Sequence, residues 1–323
     1  MKAIAWTKYG TPDVLQLKDF DKPSPKDNEV IIKIHASSIT AGDCRLRALK
    51  VPMGFWLLTR LAFGLIKPRR PIIGMELSGE IESLGKDVTL FKKGDEVYGT
   101  TGIRLGANAE YICLSENSAL VKKPNDISHD QAVAVIFGGL TAIHFLRDKA
   151  NIKGTQKILI NGASGAVGTA SIQLAKYFGL EVTGVCSTSN VGLVKSLGAK
   201  DVIDYTKEDF TKNKKNYDVI LDAVGNVSLS QCKKLLTNKG KLISINANLL
   251  TNLLSIFQKN MICGVADESK DNLNFLRERV EAGDIEAVID RVYSLRETAE
   301  AHRYVDKGHK KGSVVISMEN KEK

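Results

Sequence analysis

From residue 157 onward the apolar positions fall into short continuous runs separated by stretches of helical spacing. Lys157 to Ile160, Glu181 to Cys186, Val202-Ile203, Tyr217 to Val224 and Lys241 to Ile245 read as strands, with helices predicted at Ala166 to Phe178, Val191 to Leu197 and Leu229 to Leu236. Apolar runs of roughly four to six residues alternating with helices predict a parallel sheet covered on both faces. Before residue 123 the pattern differs. Val30 to Ile34, Gly79 to Leu84, Glu96-Val97-Tyr98 and Ala109 to Cys113 are short runs broken by turn residues, so this part reads as β-rich. Lys123-Pro124 marks the change, and Ser128 and Gln131 follow at the spacing of a capping box that opens a helix. The tail changes style again, with a helix from Asp271 to Glu281 ended by Gly283, a second capping box at Ser294 and Glu297, a helix ended by Gly308, and a strand at Ser313 to Ser317. Such a tail is placed to return to the first β-rich part. No internal repeat or low-complexity linker is visible.

Composition narrows the class. At roughly 150 residues per domain, 323 residues suggest two domains, and 43% apolar with 26% charged residues is far from a disordered chain. The formal charge of +9 favours anionic partners. The basic residues are dispersed and not interleaved with aromatics, so nucleic acid is not expected as a partner. Five widely spaced cysteines without a Cys-x-x-Cys pair predict neither a disulfide framework nor a cysteine-rich zinc lobe. Together with an N-terminus lacking a signal-peptide core, this predicts a cytoplasmic location. The most apolar stretch, Met53 to Ile66, contains Arg60 and falls short of a bilayer span, so no stable membrane insertion is expected.

The chemistry-bearing motif is Gly162-Ala163-Ser164-Gly165-Ala166-Val167-Gly168, set between a strand and a helix. Glycine at every third position permits a tight turn and close approach to a pyrophosphate held by the helix's N–H groups, which predicts a dinucleotide site. About 20 residues further on, at the end of the second strand, no carboxylate stands to bind a ribose 2′-hydroxyl. The run Cys186-Ser187-Thr188-Ser189-Asn190 offers hydroxyl and amide donors instead, which favours NADP over NAD.

Several separate motifs then resemble the medium-chain dehydrogenase/reductase superfamily, in its zinc-independent quinone oxidoreductase-like branch. They are Lys8 to Leu15, Gly74 to Gly79 with Phe91 to Val97, Gly106 to Tyr111, Gly138 to Ala142 and the glycine turn itself. The resemblance implies an α/β fold with a GroES-like β-barrel catalytic domain (1–123 and 265–323) and a doubly wound parallel-sheet, Rossmann-type cofactor domain (124–264), the active site lying between them. It implies NADPH contacts from Thr141, Ser164, Gly165, Ala166, Val167, Ser187, Thr188, Asn190, Tyr205 and Asn246. The positions of the zinc ligands of metal-dependent relatives look like Thr40, Met75 and the ligand-poor run Val133 to Phe137, so no metal is expected. Cys44 and His35 are expected to be a core thiol and a strand-face histidine.

Without a Lewis acid, hydride addition to a conjugated acceptor is favoured, because an enolate or quinol anion spreads its charge and one or two donors suffice. The expected function is an NADPH-dependent reductase of a quinone, enal or enone. Thr40 and Asp43 are the candidate catalytic groups, with Arg45 a further donor. The alternatives are a metal-free alcohol dehydrogenase and a low-turnover NADPH-binding protein with a partner or RNA-binding role. The insertion Val51 to Arg70 is apolar on more than one helical face. It is expected to be covered by protein or to shape a hydrophobic substrate channel, with interfacial membrane contact as a third option. The segment Asn260 to Val265 resembles a last cofactor-domain strand, leaving homodimer and monomer both open.

Overall fold

The computed structural model describes residues 1–319. Seven strands precede residue 123: β1 (Lys2–Trp6), β2 (Leu15–Asp19), β3 (Glu29–Ile39), β4 (Glu76–Leu84), β5 (Glu96–Thr100), β6 (Tyr111–Ser115) and β7 (Leu120–Lys122). Helices α1 (Ala41–Ala48) and α2 (Trp56–Phe63) lie between β3 and β4. Next come α3 (His129–Ala142), β8 (Lys157–Asn161), α4 (Ala166–Tyr177), β9 (Glu181–Cys186), α5 (Val191–Ser196), β10 (Asp201–Asp204) and β11 (Tyr217–Asp222). The chain continues through α6 (Leu229–Cys232), β12 (Leu236–Ser244), α7 (Leu249–Ser255), β13 (Met261–Cys263), α8 (Lys270–Glu281), β14 (Ile289–Ser294), α9 (Thr298–Asp306) and β15 (Ser313–Ser317).

Two sheets carry the fold. The cofactor-type sheet is parallel, in the order β10-β9-β8-β11-β12-β13, and the apolar runs of its central strands, Ile158 to Ile160 in β8 and Val219 to Leu221 in β11, are buried throughout, as a sheet covered on both faces requires. The other runs β14-β15-β3-β4-β5-β7, with β6 paired to β3, and is the GroES-like sheet. Its C-terminal strand β15 pairs antiparallel with β3, Val314 opposite Ile39, so the tail does lie in the sheet of the N-terminal strands. The capping box of α3 is formed, with Ser128 Oγ accepting from the Gln131 N–H and Gln131 Oε1 from the Ser128 N–H.

Three expectations need correction. The helix expected from Leu229 to Leu236 stops at Cys232, because the Leu235 carbonyl accepts the Tyr217 N–H at 2.7 Å and draws the chain into β12. The strand expected to reach Val224 ends at Asp222, whose buried carboxylate accepts the N–H groups of Val224 and Gly225 and bends the chain. The insertion is covered only in part: Phe63 packs on the core of the N-terminal part, but α2 has no fully buried residue and Ile66 beyond it is 89% exposed.

A buried cluster joins α1 to α9. Cys44 Sγ lies 3.2 Å from His302 Nδ1, and the wholly buried Arg47 pairs with Asp306 at 2.7 Å. Cys44 is the core thiol expected of it, its pKa pushed up by burial. His35 lies on β3 and stacks on His129 at 4.5 Å.

Burial, with the Arg47 charge beside it, pushes His302 down to about 3, so the native state keeps this imidazole neutral. Below the ordinary histidine pKa the unfolded chain takes up a proton that the native chain refuses. The stability is therefore whole at neutral pH and is lost as pH falls from about 6.5 toward 3, at about 1.4 kcal/mol per unit. His129, pushed down to about 4 mainly by burial, adds to the same slope. Denaturant unfolding between pH 7 and 4.5 should show this slope, and His302→Gln should flatten it by one proton's share.

Candidate active site

The glycine turn leaves β8 and enters α4 where the strand order reverses, with β9 and β10 on one side of β8 and β11 to β13 on the other. Open α/β sheets bind ligands outside the carboxyl ends of their strands at such a point. Two glycines here answer to different causes. A Cβ on Gly168 would stand 2.2 Å from the Gly162 carbonyl oxygen, so helix and turn touch only because that side chain is missing. A Cβ on Gly165 would meet nothing nearer than that same oxygen at 3.6 Å, and its φ of −81° suits any residue. The chain's own packing does not demand glycine at 165; its absent side chain keeps open the space outside the turn. No side chain caps α4, so the Ala166 and Val167 N–H groups and the helix's positive end are available to an anion there.

Beside the turn, Asn190 is buried and structural. Its Nδ2 donates to Ser164 Oγ at 3.0 Å and to Ser187 Oγ at 3.2 Å, tying the glycine turn to the end of β9. Thr188 is exposed and donates its hydroxyl to Asp204. That carboxylate escaped sequence reasoning because it belongs to the third strand. Parallel pairing sets Asp204 opposite Cys186, so a negative charge does stand at the end of β9. Hydrogen bonds from Thr188 first and Thr206 next lower Asp204 to about 2, and Lys207 lies 3.6 Å from it. Tyr205 is 52% exposed on the same rim.

The opposite wall comes from the GroES-like sheet. Thr40 and Asp43 are together, but as the capping box of α1. Asp43 Oδ2 accepts from the Thr40 N–H at 2.9 Å and hydroxyl at 2.6 Å, while Thr40 Oγ1 accepts from the Asp43 N–H at 3.1 Å. The only hydroxyl proton of Thr40 is therefore committed. Burial raises Asp43 to about 6, with its Oδ1 left without a partner. Glu76 is likewise buried, is held by the Ser38 hydroxyl, and has its pKa raised by burial. Two further residues reach across. Arg45 Nη1 donates to Asn246 Oδ1 at 2.6 Å, and Asn246 Nδ2 donates to the Ala223 carbonyl at 2.9 Å. The ammonium of Lys310, which sequence reasoning missed, is enclosed near Glu76 and Asp290, and burial lowers it to about 8. The chain just beyond it contacts the glycine turn, the Gly312 N–H donating to the Ser164 carbonyl at 2.8 Å. Thr141 is buried in α3 and donates to the Phe137 carbonyl at 2.7 Å, leaving its oxygen as an acceptor.

The donor set does not fit zinc. The expected ligand positions hold a hydroxyl already bonded to Asp43 and the thioether of Met75, and among the described residues no group of three or more His, Cys, Asp or Glu is arranged to hold a metal. A nicotinamide dinucleotide does fit, given the open space at Gly165 and the uncapped start of α4.

Comparison with known proteins agrees with this geometry. The family model described as alcohol dehydrogenase GroES-like domain matches residues 26–125, and that described as zinc-binding dehydrogenase matches residues 197–316. A quinone oxidoreductase of Pseudomonas aeruginosa is 30% identical over 98% of this chain and 99% of its own. The mitochondrial NAD(P)H oxidoreductase RTN4IP1 of Danio rerio is 31% identical over 97% of this chain and 91% of its own. The structure of the quinone oxidoreductase from Coxiella burnetii superposes with a TM-score of 0.87 at 29% identity, covering 99% of both chains. With both sheets, the glycine turn and full-length relatives in agreement, this chain belongs to the medium-chain dehydrogenase/reductase superfamily, in its quinone oxidoreductase-like branch.

Proposed function

We propose that this oxidoreductase works without zinc and uses NADPH to reduce a quinone or an α,β-unsaturated carbonyl. The observation that carries the reading is the unfilled space at Gly165, beside an uncapped helix start, on the cleft that Arg45 and Asn246 bridge. When bound there, the cofactor supplies a hydride from its nicotinamide ring. The chain's part is to bind it, orient it and stabilise charge on the acceptor. The N–H groups of Ala166 and Val167 take the pyrophosphate. Ser187, Tyr205 and Lys207 supply donors and a cation for a 2′-phosphate, and Lys207 offsets the charge of Asp204. Thr141 accepts from the carboxamide.

For the acceptor, Arg45 is the better donor. Thr40 has no proton to offer, whereas Arg45 holds a permanent charge at the cleft and is tied to one amide oxygen. Turning that guanidinium from Asn246 toward a developing enolate or quinol oxygen stabilises charge that a delocalised anion needs only in part. The proton that completes reduction comes from solvent.

Gly165→Asp tests the cofactor site. The backbone conformation and the 3.6 Å clearance accept a side chain, so the variant folds, while bulk and charge meet the pyrophosphate. Fluorescence titration should show NADPH affinity lower by at least roughly a hundredfold at unchanged melting temperature. Affinity kept within a fewfold would remove the assignment.

The 2′-phosphate contacts predict that NADPH binds more tightly than NADH. Lys207→Ala and Tyr205→Phe should each weaken NADPH, Lys207→Ala by about 10- to 100-fold, as loss of a charge-assisted bond implies, and leave NADH nearly unchanged. Steady-state oxidation of NADPH against quinones, enones, enals and simple aldehydes should show turnover with the conjugated acceptors. Turnover confined to simple aldehydes would instead favour an alcohol dehydrogenase.

A further inference from the structure

Residues 44–75 contain seven Lys or Arg and no Asp or Glu, and residues 223–266 contain five Lys and no Asp or Glu, in a chain with 37 acidic residues. The fold joins these two stretches, for the Leu249 N–H donates to the Met53 carbonyl at 3.0 Å. The starts of helix α2 of the first and α7 of the second are therefore neighbours, and neither helix buries any residue. On α2, Trp56, Leu57, Leu58 and Leu61 are between 49% and 56% exposed. On α7 and just beyond it, Leu250, Leu253, Leu254 and Phe257 range from 47% to 84%. Single exposed apolar side chains are ordinary, but eight of them on or just beyond two helices whose starts touch call for an occupant. Lys50, Lys67, Arg69, Arg70 and Lys259 are exposed in the same stretches, and none forms a salt bridge among the described residues.

We propose that this face docks on the surface of an anionic phospholipid bilayer, with α2 and α7 lying in the interfacial plane. Apolar side chains flanked by unpaired cations match a layer of acyl chains topped by negative headgroups. A second copy fits poorly. A two-fold contact would set each acid-free patch against its own like, with no carboxylate in either stretch to neutralise the cations. No helix among the described residues is long and apolar enough to cross a membrane, so the contact is superficial and reversible. This proposal does not depend on the cofactor or the acceptor, and its test reads lipid binding without turnover.

The test is flotation of the full chain with vesicles of phosphatidylcholine, with and without roughly one-third phosphatidylglycerol, at about 0.1 M salt. Binding is expected to the anionic vesicles only, with a blue shift of tryptophan emission that reports Trp56, since Trp6 is already buried. Lys67→Glu/Arg69→Glu/Arg70→Glu should weaken binding by roughly a hundredfold. Leu57→Ser/Leu250→Ser/Phe257→Ser should remove the blue shift. All six positions are exposed, so melting temperature and NADPH affinity should stay as in the parent. Failure to float with anionic vesicles, or flotation that both variants leave unchanged, overturns the proposal. So does a dimer in sedimentation that the serine variant dissociates while vesicles bind nothing, which would make a second copy the occupant.

Discussion

The site exists because the last segment of the chain closes on the glycine turn. Gly312 donates to the Ser164 carbonyl and bridges to Gly165, and the next residue, Ser313, bonds the Ala134 carbonyl of α3 as β15 begins. A residue with a Cβ at 312 would meet the Val288 carbonyl oxygen at 2.1 Å, at a φ of +64°, so only glycine lets the strand pass there. Together with α3, which packs against both β3 and α4, this short stretch joins the two sheets, and Arg45 of α1 then reaches Asn246 just beyond β12.

Elements with strong local signals were legible in advance. The parallel runs, the Ser128/Gln131 cap and the glycine turn each carry their cause within a few residues. What escaped depends on pairing between distant segments. The end of α6 is set by the Tyr217 N–H of a neighbouring strand, which bonds the Leu235 carbonyl, and Asp204 reaches the end of β9 only through parallel register. Lys310 was unreadable for the same reason: nothing around it announces that β15 will carry it to the cleft. Thr40 and Asp43 do stand together, but a helix start is cause enough for that pairing, since Thr at N-cap with Asp three residues on is how α1 begins.

The cleft mixes buried carboxyl groups with enclosed cations, and their placement limits what each can do. Asp43 and Glu76 both sit where burial favours the protonated form, so they are poor anchors for a doubly charged metal but tolerable neighbours for a quinone or enone. Arg45 keeps its charge under the same burial, because a guanidinium remains protonated far above neutral pH. The wall facing an acceptor is thus close to neutral apart from one fixed cation and the ammonium of Lys310.

The distribution of charge over the outside follows a different rule. Acidic residues are common in the chain, yet they are missing from the two segments that frame the mouth of the cleft, where α2 and α7 expose apolar faces. Folding alone does not require this, since solvated helices ordinarily mix charges of both signs. An apolar face costs solubility, and excluding carboxylates from its border gives up the cheapest repair. Lys50, Lys67, Arg69, Arg70 and Lys259 form no salt bridge among the described residues, so this border stays open to anions from outside the chain, and Asn246, three residues before α7, lies next to it as the residue that Arg45 reaches across the cleft.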